Sequence, residues 1–233
     1  MKQLNVMVTG GLGTLGLRMM HHLKRSGHRI IILDNAMAPS TDAPLCEPEA
    51  EIHAVDLTNT GCLRSTLDEV IQRHRHIDIL INNAALRLRK PLISFTDEEI
   101  ESAVKLSFLV PVWLTKHLLP VMIGNGYGRV INISSRQAFG GGEGASVYNS
   151  TKAALNAFTL AVARECSSGC GNVTINAICP GRFTDDHGHQ SKDHDEIVDR
   201  ILRTIDDLLD SNKNGELIRI YPFRKRLKEF FKK

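Results

Sequence analysis

The sequence predicts an α/β fold in which a doubly wound, parallel sheet carries helices on both faces. Short apolar runs recur along the chain, and stretches with helical apolar spacing separate them. Strands that alternate with helices of this length pair in parallel and are buried from both sides. A glycine-rich junction follows the first run and an acid ends the second, which puts a ligand site at the carboxyl edge of the sheet.

The first strand, Val6-Met7-Val8, leads straight into Thr9-Gly10-Gly11-Leu12-Gly13-Thr14-Leu15-Gly16, and a helix then runs to about Ser26-Gly27. Gly10, Gly13 and Gly16 fall as G-x-x-G-x-x-G. Such a turn lets the backbone around Leu12, Thr14 and Leu15 approach a pyrophosphate and aims a helix N-terminus at it. A loop with packing duties only is the bland alternative. The second strand, Ile30-Ile31-Ile32-Leu33, ends in Asp34. An acid there bonds the adenosine ribose hydroxyls and repels a 2′-phosphate. Neither the glycine loop nor the residue after Asp34 offers an Arg or Lys to such a phosphate, so NAD is favoured over NADP.

Pro39, Pro44 and Pro48 argue against a long helix across 36–50. Ile52-His53-Ala54-Val55 reads as a third strand ending at Asp56, followed by a helix from about Thr60 to His74. The fourth strand, Ile77-Asp78-Ile79-Leu80-Ile81, ends in Asn82-Asn83-Ala84-Ala85, carboxamides at the ligand edge that also suit tying strands together. Asp97 to Met122 is helical, broken or ended near Pro111 and Pro120. Strands follow at 129–135 and 173–178, with the helix bearing Tyr148 between them and Pro180-Gly181 closing the latter in a sharp turn. Asp195 to Asp210 has helical spacing, and 216–220 reads as the last strand.

The chemistry is expected at Tyr148-Asn149-Ser150-Thr151-Lys152. Residues four apart share a helix face, so Tyr148 and Lys152 stand one turn from each other. A phenol with a pKa near ~10 needs a nearby cation to act as a base at neutral pH, and an ammonium is such a cation. Ser135, at the end of the fifth strand, is placed to face the same space.

Composition bounds the rest. At 233 residues with 42% hydrophobic content, the chain suits one large domain, expected over 1–222, plus a basic tail at 223–233. That tail carries +5 of the net charge of +3, leaving the body slightly acidic and giving no reason to expect nucleic-acid binding. In a helical tail, Phe223, Leu227, Phe230 and Phe231 would share one apolar face. Packing on its own domain or on a partner is the favoured reading, with docking on an anionic membrane surface as the alternative. Five cysteines without C-x-x-C spacing form neither a disulfide framework nor a zinc site, and no apolar run approaches membrane-spanning length, so a cytoplasmic protein is expected. Asp185-Asp186-His187-Gly188-His189 lacks an i,i+4 His pair and reads as a polar loop, so no metal site is expected.

Taken together, these motifs resemble the short-chain dehydrogenase/reductase family over roughly residues 5 to 182. They are Thr9-Gly10…Gly13…Gly16, Asp34, Asp56, Asn82-Asn83-Ala84, Ser135, Tyr148…Lys152 and Pro180-Gly181, in the family's order. The resemblance implies a Rossmann-like, seven-stranded sheet. It implies Tyr148 as general acid/base, Ser135 bonding the substrate oxygen, and Lys152 holding the nicotinamide ribose while depressing the tyrosine pKa. Asp56 and the backbone near Leu57 would flank the adenine, Asn83 and Ala84 would lie along the cofactor, and Pro180-Gly181 would close on it. The activity implied is hydride transfer between a secondary alcohol or ketone and NAD, by a homodimer or homotetramer.

The sequence departs from the family pattern at several points. Thr14 replaces the classical glycine, and the glycine spacing is that of the extended branch, which keeps an NAD-retaining epimerase or dehydratase of nucleotide-linked sugars as an alternative. Lys105 occupies the position of the family's tetrad asparagine, where it would face Lys152 or an acidic substrate group. Asp185 stands where the family commonly has threonine. A catalytically weak, NAD-binding regulatory protein is the third reading. Arg87, Arg136 and Arg182 each follow a motif facing the cleft, and three guanidiniums there suit an anionic small-molecule substrate.

Overall fold

The computed structural model describes residues 3–35, 50–167, 169–182 and 193–222. Seven strands form one sheet in the order β3-β2-β1-β4-β5-β6-β7. They are β1 Asn5–Thr9, β2 Arg29–Asp34, β3 Glu51–Ala54, β4 Ile79–Asn82, β5 Tyr127–Ile133, β6 Asn172–Pro180 and β7 Leu217–Ile220. Every pairing is parallel, from Asn5 opposite Arg29 to Pro180 opposite Ile220. Parallel neighbours need crossovers, and, apart from the β2–β3 connection outside the described residues, helices α1 Thr14–Arg25, α2 Thr60–His74, α3 Asp97–Val104, α4 Val110–Gly124, α5 Ser146–Ser167 and α6 His194–Leu209 supply them.

The strand side chains alternate between two cores. Val6 and Val8 of β1 pack with Leu15, Met19 and Leu23 of α1 and with Ile197, Ile201 and Ile205 of α6. Met7, between them, faces Leu63 and Leu67 of α2 and Leu114 and Leu118 of α4. Buried from both sides, the central strands can be continuously apolar, which is why they stand out in the sequence. The winding reverses between β1 and β4, and the crevice this opens at the carboxyl edge is where such sheets bind ligands.

Local chemistry fixes the helix starts. Asn59 caps α2 by accepting from the Gly61 and Cys62 amides at 3.1 and 3.2 Å. Thr96 and Glu99 close a reciprocal capping box on α3. The N-cap of α1, Gly13, has no side chain to offer, so that helix start stays bare toward the crevice.

Asp97 to Gly124 is one continuous helical body of 28 residues, longer than the proline positions suggest and long and apolar enough to span a membrane by length and composition alone. Here Val110, Leu114, Leu118 and Met122 are buried against the sheet. The expected break near Pro111 takes the form of a π turn, Lys105–Leu109, whose extra residue precedes a proline that has no N–H for the α ladder. Pro120 lies inside α4 and does not end it. Strand limits differ from expectation by about two residues at β4 and β5, as hydrogen bonding rather than apolarity sets them. The tail, the prolines of 36–50, and Asp185 to His189 lie outside the described residues.

Candidate active site

At the carboxyl edge of β1 the backbone turns back on itself. Gly10 adopts φ +63°, and a Cβ there would meet the Ala84 Cα at 3.0 Å. A Cβ on Gly16 would lie 2.3 Å from the Gly10 carbonyl oxygen, so the helix can start this close to the strand only with glycine. Gly13 is different, because a Cβ would meet nothing nearer than 3.6 Å. Its missing side chain serves the open side of the turn. Asn83 clamps the turn, its side-chain amide donating to the Gly10 and Thr9 carbonyls at 2.8 and 3.1 Å. The Thr9 hydroxyl accepts from the Asn83 and Ala84 amides, both at 3.0 Å. Thr9 thus does structural work that the motif reading did not assign, although its place directly before Gly10 was visible.

Asp34 ends β2 with one carboxylate oxygen accepting from the Leu12 amide at 3.0 Å. Asp56 is exposed and holds the Thr58 amide and hydroxyl at 2.9 and 2.8 Å, while the Leu57 side chain belongs to the core. The glycine cradle, the uncapped helix start and a carboxylate beside them fit a dinucleotide: Gly10, Gly13, Thr14 and Leu15 at its pyrophosphate, Asp34 at its ribose. Lys105 does not join this edge. Its ammonium pairs with Glu101 at 3.5 Å on an exposed helix face, so the expectation that it faces Lys152 or substrate is corrected. The i,i+4 pairing that holds it outward was present in the sequence.

The other half of the site comes from β5 and α5. Ser134 and Ser135 leave β5 into a short 3₁₀ turn, Arg136–Phe139, and the Ser135 oxygen accepts from the Gln137 amide at 3.1 Å. Tyr148 and Lys152 project from the first turns of α5. The Lys152 ammonium is buried and donates to the Ile133 carbonyl at 2.7 Å, and it lies 5.9 Å from the Tyr148 ring centre. Ser134 donates to the Lys152 carbonyl at 3.3 Å, so strand end and helix are tied twice. Behind them, Asn82 donates to Asn132 at 2.8 Å and Asn132 to Thr159 at 2.9 Å, joining β4, β5 and α5 through buried amides.

Burial dominates the electrostatics. It pushes the Tyr148 phenol above its ordinary range, while a hydrogen bond with Ser135 and the charge of Arg87 pull it back. Burial also lowers the Lys152 ammonium to about 8, with Cys179 acting the other way. Burial pushes the Cys179 thiol up to about 11, so Lys152 has a neutral thiol beside it at neutral pH. In this state the downward pull on Tyr148 comes from Ser135 and Arg87, a contribution the Tyr-Lys spacing alone does not disclose.

These groups meet in a cavity of about 380 Å³. Leu15, Asn83, Pro180 and Gly181 line it together with Ser135, Tyr148 and Lys152. Arg87, Arg136 and Arg182 all reach its wall, as their positions after three motifs implied. Asp193 and Pro222 also line it, and neither was singled out by a motif.

The chain has counterparts among known proteins. A model of the short chain dehydrogenase family matches residues 4–196. An uncharacterized oxidoreductase of Bacillus subtilis, YxjF, is 29% identical over 78% of this chain and 71% of its own. Acetoacetyl-CoA reductase of Cupriavidus necator is 27% identical over 85% of this chain and 81% of its own. A short chain dehydrogenase of Leptospira borgpetersenii, solved with bound NAD+, superposes with a TM-score of 0.82 at 22% identity, covering 94% of this chain and 91% of that one. The epimerase alternative is not favoured, since the relatives are oxidoreductases. Family match, relatives and fold agree that this chain belongs to the short-chain dehydrogenases and is an NAD(P)-dependent oxidoreductase.

Proposed function

We propose that the protein interconverts a secondary alcohol and its ketone, using NAD and acting on a small anionic metabolite. The observation that carries this reading is the convergence of Ser135, Tyr148 and Lys152 on the cavity that Asn83 and Gly181 also line. Bound there, a nicotinamide accepts or supplies the hydride. The Ser135 and Tyr148 hydroxyls hold the substrate oxygen, and Tyr148 takes or gives the matching proton. Lys152, anchored on the Ile133 carbonyl, holds the ribose and adds positive charge near the phenol. NAD rather than NADP is supported by Asp34, an acid at the end of β2 that would repel a 2′-phosphate.

The test is Tyr148→Phe in a turnover assay with NAD and a panel of secondary alcohols. Loss of kcat by about 10²- to 10⁴-fold with NAD affinity retained is the expected result. Unchanged turnover would instead favour the weakly catalytic, NAD-binding regulatory reading. A cytoplasmic homo-oligomer is part of the same proposal. It is supported by the apolar surface of Leu92 and Ile93, 60% and 96% exposed, beside the groove between α3 and α5. Light scattering on the purified chain distinguishes monomer, dimer and tetramer.

A further inference from the structure

We propose that Arg136, held on the ring of Tyr221, recognises a carboxylate of the substrate, which makes that substrate a short hydroxy acid or the corresponding oxo acid. The inference rests on the oxidoreductase reading above and deepens it.

The guanidinium carbon of Arg136 stands 4.2 Å from the centre of the Tyr221 ring. Stacking of this kind uses the faces of the guanidinium and leaves its N–H edges to bond in the plane, the geometry that suits a carboxylate. The opposite neighbour is Gly181, where a Cβ would come within 3.6 Å of a terminal Arg136 nitrogen. Tyr221 is itself fixed. Its carbonyl accepts from Arg200, and the preceding residue, Ile220, accepts from the Gly181 amide at 2.9 Å. A companion stack runs the other way, with Arg219 of the last strand 3.9 Å over the ring of Phe139 from the 3₁₀ turn. Turn and strand therefore interlock through two arginine–aromatic pairs, and the Arg136 fork is ordered before any ligand arrives. Little side-chain freedom is left to lose on binding.

Charge and reach narrow the ligand. Arg136 and Lys152 bring positive charge to the described wall of the cavity, which favours an anion. Arg136 follows Ser135 directly, with Cα atoms about 3.8 Å apart. Arg136, Ser135 and Tyr148 line one cavity, so a group read by the guanidinium and the oxygen that Ser135 and Tyr148 hold belong to one small ligand. The cavity of about 380 Å³ also takes the nicotinamide end of the cofactor, which leaves room for a chain of a few carbons.

The experiment measures kcat/KM, with NAD, for C3–C5 2- and 3-hydroxy acids and for their methyl esters, in wild type, Arg136→Gln, Tyr221→Phe and Tyr221→Leu. Calorimetric titration of malonate into each NAD-loaded protein runs alongside. The acid-to-ester ratio is expected to fall about 30-fold in Arg136→Gln, several-fold in Tyr221→Leu, and less than about threefold in Tyr221→Phe, which keeps the stack. An equal loss on acids and esters, or no loss on either, overturns the proposal. If wild type oxidises neither set, the hydroxy-acid assignment is overturned, and malonate decides the anion site alone. Malonate affinity lost in Arg136→Gln supports the site; unchanged affinity overturns it.

Discussion

Lys152→Met is expected to abolish turnover and to make the protein's stability less dependent on alkaline pH. Burial lowers the Lys152 ammonium from 10.5 to about 8, so the unfolded chain holds this proton more tightly than the folded one. Below about pH 8 both states are charged, and the folded state carries the whole desolvation cost. As pH rises from about 8 toward 10.5 the folded lysine gives up its proton while the unfolded one keeps it, and the cost fades. The difference corresponds to about 3 kcal/mol at pH 7. Methionine removes that cost but strips the Ile133 carbonyl of its 2.7 Å donor, a loss of roughly 1–3 kcal/mol. The net gain at pH 7 is therefore small, about 1 kcal/mol. Its pH dependence is not small. Urea unfolding of both proteins should show Lys152→Met about 1 kcal/mol more stable than wild type at pH 7 and about 1 kcal/mol less stable at pH 10, a swing of about 2 kcal/mol. Other groups titrate in both proteins and cancel in the comparison. A difference that stays constant across this range would refute the reasoning, because it would mean that the lysine is not held as a buried, strained cation.

Gly16→Ala puts a Cβ 2.3 Å from the Gly10 carbonyl oxygen and should lower stability by about 2–3 kcal/mol or more in thermal unfolding. Gly13→Ala meets only a 3.6 Å contact and should keep most of that stability while weakening NAD by about tenfold or more, read by titration. A parallel fall of both quantities in both variants would contradict this division of labour. Asp34→Ala should move the NADP-to-NAD ratio of kcat/KM by about tenfold or more toward NADP, with about 1 kcal/mol lost as the Leu12 amide gives up its 3.0 Å acceptor. Ser107→Ala leaves the Leu86 amide without its 3.1 Å acceptor and should cost about 1–2 kcal/mol in urea unfolding.

The legible parts of this molecule are those that local chemistry determines. Ile30 to Leu33 can be nothing but a strand buried from both sides, and Gly10 and Gly16 are required by contacts with backbone a few residues away. Tyr148 and Lys152 share a helix face by spacing alone. Partners set by the sheet's long-range register were hidden. Tyr221 has no motif around it and reaches Arg136 only because β7 pairs with β6, Pro180 lying opposite Ile220. The Ile133 carbonyl as the seat of Lys152, and Arg87 as a charge felt by Tyr148, likewise depend on how β4, β5 and α5 converge.

Lys105 shows how one helix position can mislead. Residues of a helix are about 100° apart, so two positions along the chain lie on nearly opposite faces. Glu101 holds Lys105 on the exposed face, and Ser107, two residues on, then faces inward and is fully buried. Its hydroxyl accepts from the Leu86 amide, directly before Arg87. The segment that in the resemblance would place an asparagine side chain near Lys152 instead anchors the loop carrying Arg87. Polar contact between this helix and the site thus passes through Ser107 and the backbone of the β4 loop. Ser107 lies within the π turn, Lys105–Leu109, just before the proline-bearing start of α4. A charge at 105 is compatible with a buried, cationic Lys152 because the two ammonium groups belong to different faces of the packed helices.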